Sequence, residues 1–134
     1  MAQTCGINHL GLTVCDLDQT TAFFVEVLGW AEIARDPDYP RSTVTDGEAR
    51  LTLWQADMSS PMVAFDRRSN IGLHHVALTV SSKAVLDQLA ETIAAQKAVV
   101  VEFMPEPMGR GPRQHMIFSE PGGLRIELVW AGAD

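Results

Sequence analysis

Nowhere in the chain do about 18 apolar residues run together, so no membrane-spanning helix is expected. Lys and Arg form no block either. The 10 basic side chains are outnumbered by 17 acidic ones, a net charge of −7 that argues against nucleic acid or an anionic membrane as partner. Cysteine is scarce, with Cys5 and Cys15 alone. These two flank an expected strand, and a continuous strand holds them roughly 33 Å apart, too far to form a disulfide. The start, Met1-Ala2-Gln3-Thr4-Cys5, has no basic segment followed by an apolar one, so no secretory signal is expected and a reducing cytoplasm is the simpler setting. The composition, 46% apolar and 20% charged over 134 residues, is that of one soluble globular domain.

The chain also contains a repeat. Ile7-Asn8-His9-Leu10-Gly11-Leu12-Thr13-Val14 is restated as Leu73-His74-His75-Val76-Ala77-Leu78-Thr79-Val80, with His, Leu, Thr and Val at matching places. The correspondence recurs near the two ends, where Arg50-Leu51-Thr52-Leu53 aligns with Arg125-Ile126-Glu127-Leu128. Repetition at this scale means that one supersecondary unit is written twice.

The order of elements agrees. After a strand over 7–14, Asp16 and Gln19 stand at capping-box spacing, and an apolar stripe through Ala22, Phe23, Phe24 and Val27 predicts a helix up to Leu28. Gly29 is placed to stop it as a left-handed residue. Short strands follow at 30–33, 42–45 and 49–55, the last two joined by the turn dipeptide Asp46-Gly47. A polar linker over about 58–70 separates this first module, about 5–57, from a second at about 71–131. There the same order returns: strand 73–80, helix 83–96 with Leu86, Leu89, Ala90 and Ile93 on one face, strand 98–103, a Pro/Gly-rich loop over 104–112, and strands 115–118 and 124–130.

Side chains alternate across a strand. Leu10, Leu12 and Val14, with Val76, Leu78 and Val80, form apolar rows suited to packing on helices. His9 and His75 fall on the opposite faces, while His74 falls on the apolar side and reads as structural. In the last strand Leu124, Ile126, Leu128 and Trp130 share the apolar face, which leaves Glu127 opposite. A carboxylate buried alone is costly. Two histidines and one carboxylate facing one cavity answer that cost by binding a divalent metal, and they leave coordination positions open for substrate. One strand histidine is more often an ordinary surface or core group. Recurrence at equivalent positions of a repeat favours the ligand reading. Either Trp54 or Gln55 faces the cavity, depending on register.

With Pro121-Gly122-Gly123-Leu124-Arg125-Ile126-Glu127-Leu128 added to the two histidine strands, residues 7–130 resemble the vicinal oxygen chelate superfamily, which includes glyoxalase I, extradiol dioxygenases, fosfomycin-resistance transferases, methylmalonyl-CoA epimerase and bleomycin-resistance proteins. The resemblance implies an α+β fold of two pseudo-symmetric βαβββ modules whose curved mixed sheets enclose a metal-binding cleft. It implies His9, His75 and Glu127 as ligands of a divalent ion (Fe, Mn, Ni, Co or Zn) that chelates neighbouring oxygens of a small substrate. The fourth position, Glu or Gln in glyoxalases and epimerases, falls on Thr52, a weak ligand. Members of this kind commonly form homodimers, and in some the ligands come from two chains.

The sequence also departs from well-known members. Thr13 stands where bacterial glyoxalase I has a glutathione-binding Arg, and Ile117 where ring-cleaving and fosfomycin enzymes keep a Tyr. What it offers instead is His115, on the side that by resemblance faces the metal, as a general acid/base. Arg110 and Arg113, in the loop before it, are suited to an anionic substrate, although an ordinary solvated loop has the same composition. Glyoxalase-like lyase or isomerase chemistry asks least of such a site. Extradiol cleavage of a catechol-like substrate is the rival, and a bleomycin-resistance-type binding protein is the non-enzymatic alternative.

Overall fold

The computed structural model describes residues 1–133. The chain gathers into two units that divide between Met62 and Val63, each built on one four-stranded sheet.

The first unit runs β1 (Leu10–Val14), α1 (Leu17–Ala22), a π-helical turn (Phe23–Val27), β2 (Ala31–Asp36), β3 (Arg41–Thr45) and β4 (Arg50–Gln55). Asp16 caps α1 by accepting the Gln19 N–H at 2.9 Å, as the spacing predicts. The helical path does reach Leu28, but its last turn is widened, with the Leu28 N–H donating to the Phe23 carbonyl at 3.3 Å. Phe23 and Phe24 are both buried there, and Phe24 meets Trp30 edge-on at 5.2 Å. Gly29, at φ 73°, reverses the chain.

Strands β2, β3 and β4 form an antiparallel meander, and β4 returns parallel to β1, giving the order β1-β4-β3-β2. A parallel pair needs a long connection, which the helix and meander supply. Asp46 closes the β3–β4 turn by accepting the N–H groups of Glu48 and Ala49 at 2.9 and 2.7 Å. Leu12, Val14, Val44, Leu51 and Leu53 are buried on the helix side. Each contributes about 1.5–3 kcal/mol to folding. Gln55 takes that side too, bonding the Leu17 N–H and the Cys15 carbonyl. Trp54 lies opposite, level with Thr13 and Arg41.

The second unit repeats the plan with β5 (Val76–Val80), α2 (Lys83–Ala94), β6 (Val100–Pro107), β7 (Gln114–Ser119) and β8 (Arg125–Trp130), in the sheet order β5-β8-β7-β6. Ser82 caps α2 by accepting the Val85 N–H at 3.1 Å. Leu86, Ala90 and Ile93 of the helix and Met116, Phe118, Ile126 and Leu128 of the sheet are buried. No helix among the described residues is long and apolar enough to cross a membrane.

Three strand boundaries stand out against expectation. The first strands of the modules begin at Leu10 and Val76, three residues later than the repeat predicts. Their partners β4 and β8 begin only at Arg50 and Arg125, after tight turns, so residues 7–9 and 73–75 have no ladder to join. The second strand of the second unit, β6, is longer than expected and extends through Pro107, into the stretch read as loop. It is an edge strand with two register irregularities, where proline is tolerated.

Candidate metal and proton-transfer site

The site of the second unit is built on β8, which lies between β5 and β7. Opposite Glu127 stand Ala77 on one side and Ile117 on the other. His75 lies two residues before Ala77 and His115 two before Ile117, so both imidazoles reach Glu127 along one face. Glu127 Oε2 faces His75 Nε2 at 3.1 Å, and Oε1 receives a hydrogen bond from His115 Nδ1. The residue is only 5% exposed, and the His115 N–H satisfies one oxygen of a group that would otherwise be costly to bury, while the other oxygen lies against His75 Nε2.

A carboxylate only accepts, which fixes the proton of that bond on His115 Nδ1. The other nitrogen, Nε2, points towards Glu106 Oε1 at 3.9 Å, and the Phe103 ring packs on the imidazole at 4.9 Å. His115 is therefore a half-buried residue with one anchored and one outward nitrogen. Glu106 was not legible as part of the site, because the sequence placed it in a loop. Its cross-strand pairing with His115 depends on the extension of β6.

His74 departs from its expected place. It does not pack on the apolar side but is exposed, with its Nδ1 2.8 Å from His75 Nδ1 and 3.4 Å from an NH1 of Arg125. The strand that would have turned it inward starts only at Val76. Arg125 is buried and grips Glu102 with two hydrogen bonds of 2.8 Å. Those bonds hold the Glu102 carboxyl below the usual glutamate range, while desolvation and then the Arg125 charge push the His74 imidazole below the usual histidine value. Arg67 adds a longer contact to Glu102 at 3.5 Å.

The remaining expected site residues lie elsewhere. His9 belongs to the first unit, where it is exposed just before β1 with its Nδ1 2.8 Å from Asn8 Oδ1. Thr52 is buried in β4, level with Gly11 and Thr43. Arg110 and Arg113 are exposed in the loop between β6 and β7. Thus the structure brings His75, His115 and Glu127 together and leaves the two arginines at the surface.

Among the described residues, no three His, Cys, Asp or Glu side chains form a group that could hold a metal ion. A metal must therefore be judged against the donor pair of the second unit. The chemistry is right, since imidazole nitrogen with carboxylate oxygen suits first-row divalent ions. The spacing is right as well: 3.1 Å between His75 Nε2 and Glu127 Oε2 is the separation of two neighbouring ligands each about 2.1 Å from one ion. The pair fits a metal but does not by itself complete a site.

The model for the Glyoxalase/Bleomycin resistance protein/Dioxygenase superfamily matches residues 6–128. The chain belongs to this superfamily. Among characterised relatives, a 2-epi-5-epi-valiolone epimerase from an Actinomyces species is 28% identical, the match covering 92% of this chain and 78% of the epimerase. Among solved structures, a glyoxylase/bleomycin resistance protein/dioxygenase domain from Frankia sp. EAN1pec superposes with a TM-score of 0.80 at 23% identity, over 96% of this chain and 93% of that one. A point mutant of the fosfomycin resistance protein FosX from Listeria monocytogenes, complexed with Mn(II) and 1S,2S-dihydroxypropylphosphonic acid, superposes with a TM-score of 0.73 at 23% identity, over 94% and 92%. The structural likenesses establish the fold, two βαβββ-like modules with open sheets.

Proposed function

We propose that this protein is a divalent-metal-dependent isomerase or lyase that moves a proton on a small substrate held through adjacent oxygens. The observation that carries the reading is the double use of Glu127: one oxygen facing His75 Nε2, the other anchoring His115. His75 and Glu127 are the proposed ligands of the ion in the second unit, and His9 is a proposed metal ligand of the first. A bound divalent ion supplies Lewis-acid stabilisation of the oxyanion that forms when a carbon acid loses its proton.

His115 is the proposed proton carrier. The bond of its Nδ1 to Glu127 orients the ring and stabilises the imidazolium that forms when Nε2 takes a proton, as a carboxylate does for a catalytic histidine elsewhere. Glu106, 3.9 Å from Nε2 and half-exposed, lies on the path by which that proton reaches solvent. Epimerisation and lyase chemistry both need this group, and the epimerase among the relatives supports the isomerase side. Ring cleavage of a catechol-like substrate draws less support, since Ile117 presents only carbon beside Glu127. Arg110 and Arg113 are proposed to meet an anionic substrate, and a homodimer is the proposed assembly.

The test pairs metal uptake with proton exchange. Protein loaded in turn with Mn(II), Ni(II), Zn(II) and anaerobic Fe(II) is incubated in D2O with a panel of hydroxy ketones, and NMR follows deuterium entry and inversion. Exchange that needs the ion and falls in His115→Gln supports the reading. Protein that takes up no divalent ion, or that consumes oxygen with catechols instead, sinks it.

A further inference from the structure

In the second unit a chain of polar contacts runs Glu102–Arg125–His74–His75–Glu127–His115–Glu106, and its direction can be read from the chemistry of its members. Arg125 has donors only. Its NH1 lies 3.4 Å from His74 Nδ1, a contact that favours the His74 tautomer in which that nitrogen is the acceptor. The same Nδ1 is 2.8 Å from His75 Nδ1. Two bare imidazole nitrogens cannot approach so closely, so the hydrogen between them sits on His75. A neutral His75 is then left with a lone pair on Nε2, the atom that faces Glu127 Oε2 at 3.1 Å. Two acceptors face each other there, and only a cation or a proton between them reconciles the pair.

We infer that His74, held by Arg125, is a positioning residue that keeps the proton of His75 on Nδ1 and so turns the Nε2 lone pair towards the carboxylate, predisposing the pair to a divalent cation. The two halves of the chain differ here. His9 has Asn8 as its neighbour, and its Nδ1 faces the Asn8 Oδ1 acceptor at 2.8 Å. Asn8 thus offers His9 the same instruction, an acceptor at Nδ1, that His74 offers His75. The residues at 8 and 74, one before each of the repeated histidines, have the same task with different chemistry. A ligating histidine commonly donates its second N–H to an acceptor that fixes its tautomer, and loss of such a partner weakens metal binding by about 10–100-fold.

The inference rests on the metal reading of His75 and Glu127, and its test separates the two. Long-range 1H–15N correlation spectra of the full chain, labelled at histidine, report which nitrogen of His75 carries hydrogen. Wild type, His74→Asn and His74→Leu are compared without metal and with Zn(II). Zn(II) affinity is measured alongside, by competition with a chromophoric chelator. The asparagine carboxamide oxygen replaces the Nδ1 acceptor, so His74→Asn retains the hydrogen on His75 Nδ1 and an affinity within about threefold of wild type. His74→Leu moves that hydrogen to Nε2 in the metal-free protein and loses about 10–100-fold in affinity. His74 is exposed, so neither variant disturbs the core. A wild-type His75 carrying hydrogen on Nε2 alone overturns the inference, as does His74→Leu binding Zn(II) as tightly as wild type, a result that leaves the metal reading intact. A tautomer governed by His74 in a protein that takes up no Zn(II) sinks the metal reading and leaves the positioning role.

Discussion

Ile117 stands directly across the β7–β8 ladder from Glu127, and both side chains are buried on the same face of the sheet. An aliphatic group at that place neither donates to the carboxylate nor offers it a proton. The polar group on β7 that meets the carboxylate is His115, one pleat period away, a diagonal step within reach of a long side chain. The aliphatic neighbour and the tyrosine-free face explain why the carboxylate depends on imidazoles from both flanking strands.

This dependence predicts a split between stability and function at position 127. The carboxylate is buried at a desolvation cost, and removing one member of a buried ionic group is costly when the member left behind stays buried and charged. His75 and His115 are partly exposed, so both rehydrate when it is removed. Glu127→Leu is expected to keep the unfolding free energy within about 1 kcal/mol of wild type, or to raise it, while divalent-ion binding disappears. Urea unfolding in the presence of a chelator, with metal binding by calorimetry, checks both parts. A loss of more than about 3 kcal/mol, the cost expected when a buried pair is broken, shows that Glu127 is needed by the fold and not the site.

His115 separates proton transfer from metal binding. Its Nδ1 holds the carboxylate oxygen that does not face His75, and its Nε2 faces Glu106. His115→Gln is expected to lower kcat by about 10²–10⁴-fold while the metal affinity moves less than about tenfold. Steady-state kinetics on any substrate found by deuterium exchange, with metal affinity measured in parallel, tests it. Equal losses in both quantities assign His115 to the ligand set instead.

The order of elements in each module and the shared neighbourhood of His75 and Glu127 were legible because each depends on short-range pattern. Alternation put His75 and Glu127 each opposite the apolar row of its strand, and the repeat gave both modules the same order of elements. The polar chain behind them was not legible. Arg125 was visible as the repeat counterpart of Arg50, but its partner Glu102 lies 23 positions away, on a strand two places removed in the sheet. Glu106 entered the site only because β6 runs on through two prolines, Pro105 and Pro107, which local propensity reads as loop. His74 was read as inward because alternation was carried past the end of the strand. The ladder stops where the partner strand stops, and periodicity within one strand does not contain that information.

The Glu102–Arg125 pair carries a pH dependence of definite sign. Arg125 holds the Glu102 carboxyl below its ordinary value of 4.5 chiefly through side-chain hydrogen bonds. A depressed carboxyl contributes stability that is complete above the unfolded-state value and is lost as pH falls through the folded-state one. Solvent reaches the pair, so its contribution is about 0.5–1 kcal/mol. Glu102→Gln is expected to lose that amount at pH 7 and to match wild type once the pH is low enough to protonate Glu102 in the folded protein. Denaturant unfolding of both proteins at pH 7 and across the acid range checks the convergence. A constant difference at every pH assigns the cost to packing and not to charge.

The widened last turn of the first helix gives the final prediction. Phe24 is 1% exposed and packs edge-on against Trp30, and the Trp30 N–H donates to the Phe24 carbonyl at 2.9 Å across Gly29. One turn thus fixes both an aromatic pair and the reversal into β2. Phe24→Ala removes the pair and opens a cavity, which costs about 3–5 kcal/mol. Gly29→Ala keeps the pair but forces a Cβ into a left-handed residue at φ 73°, which costs about 1 kcal/mol. Both belong to one closing unit, so the double variant is expected to cost less than the sum, because the turn has little left to hold once Phe24 is gone. A double-mutant cycle from urea unfolding measures the coupling, and strict additivity shows that the glycine acts on the backbone alone.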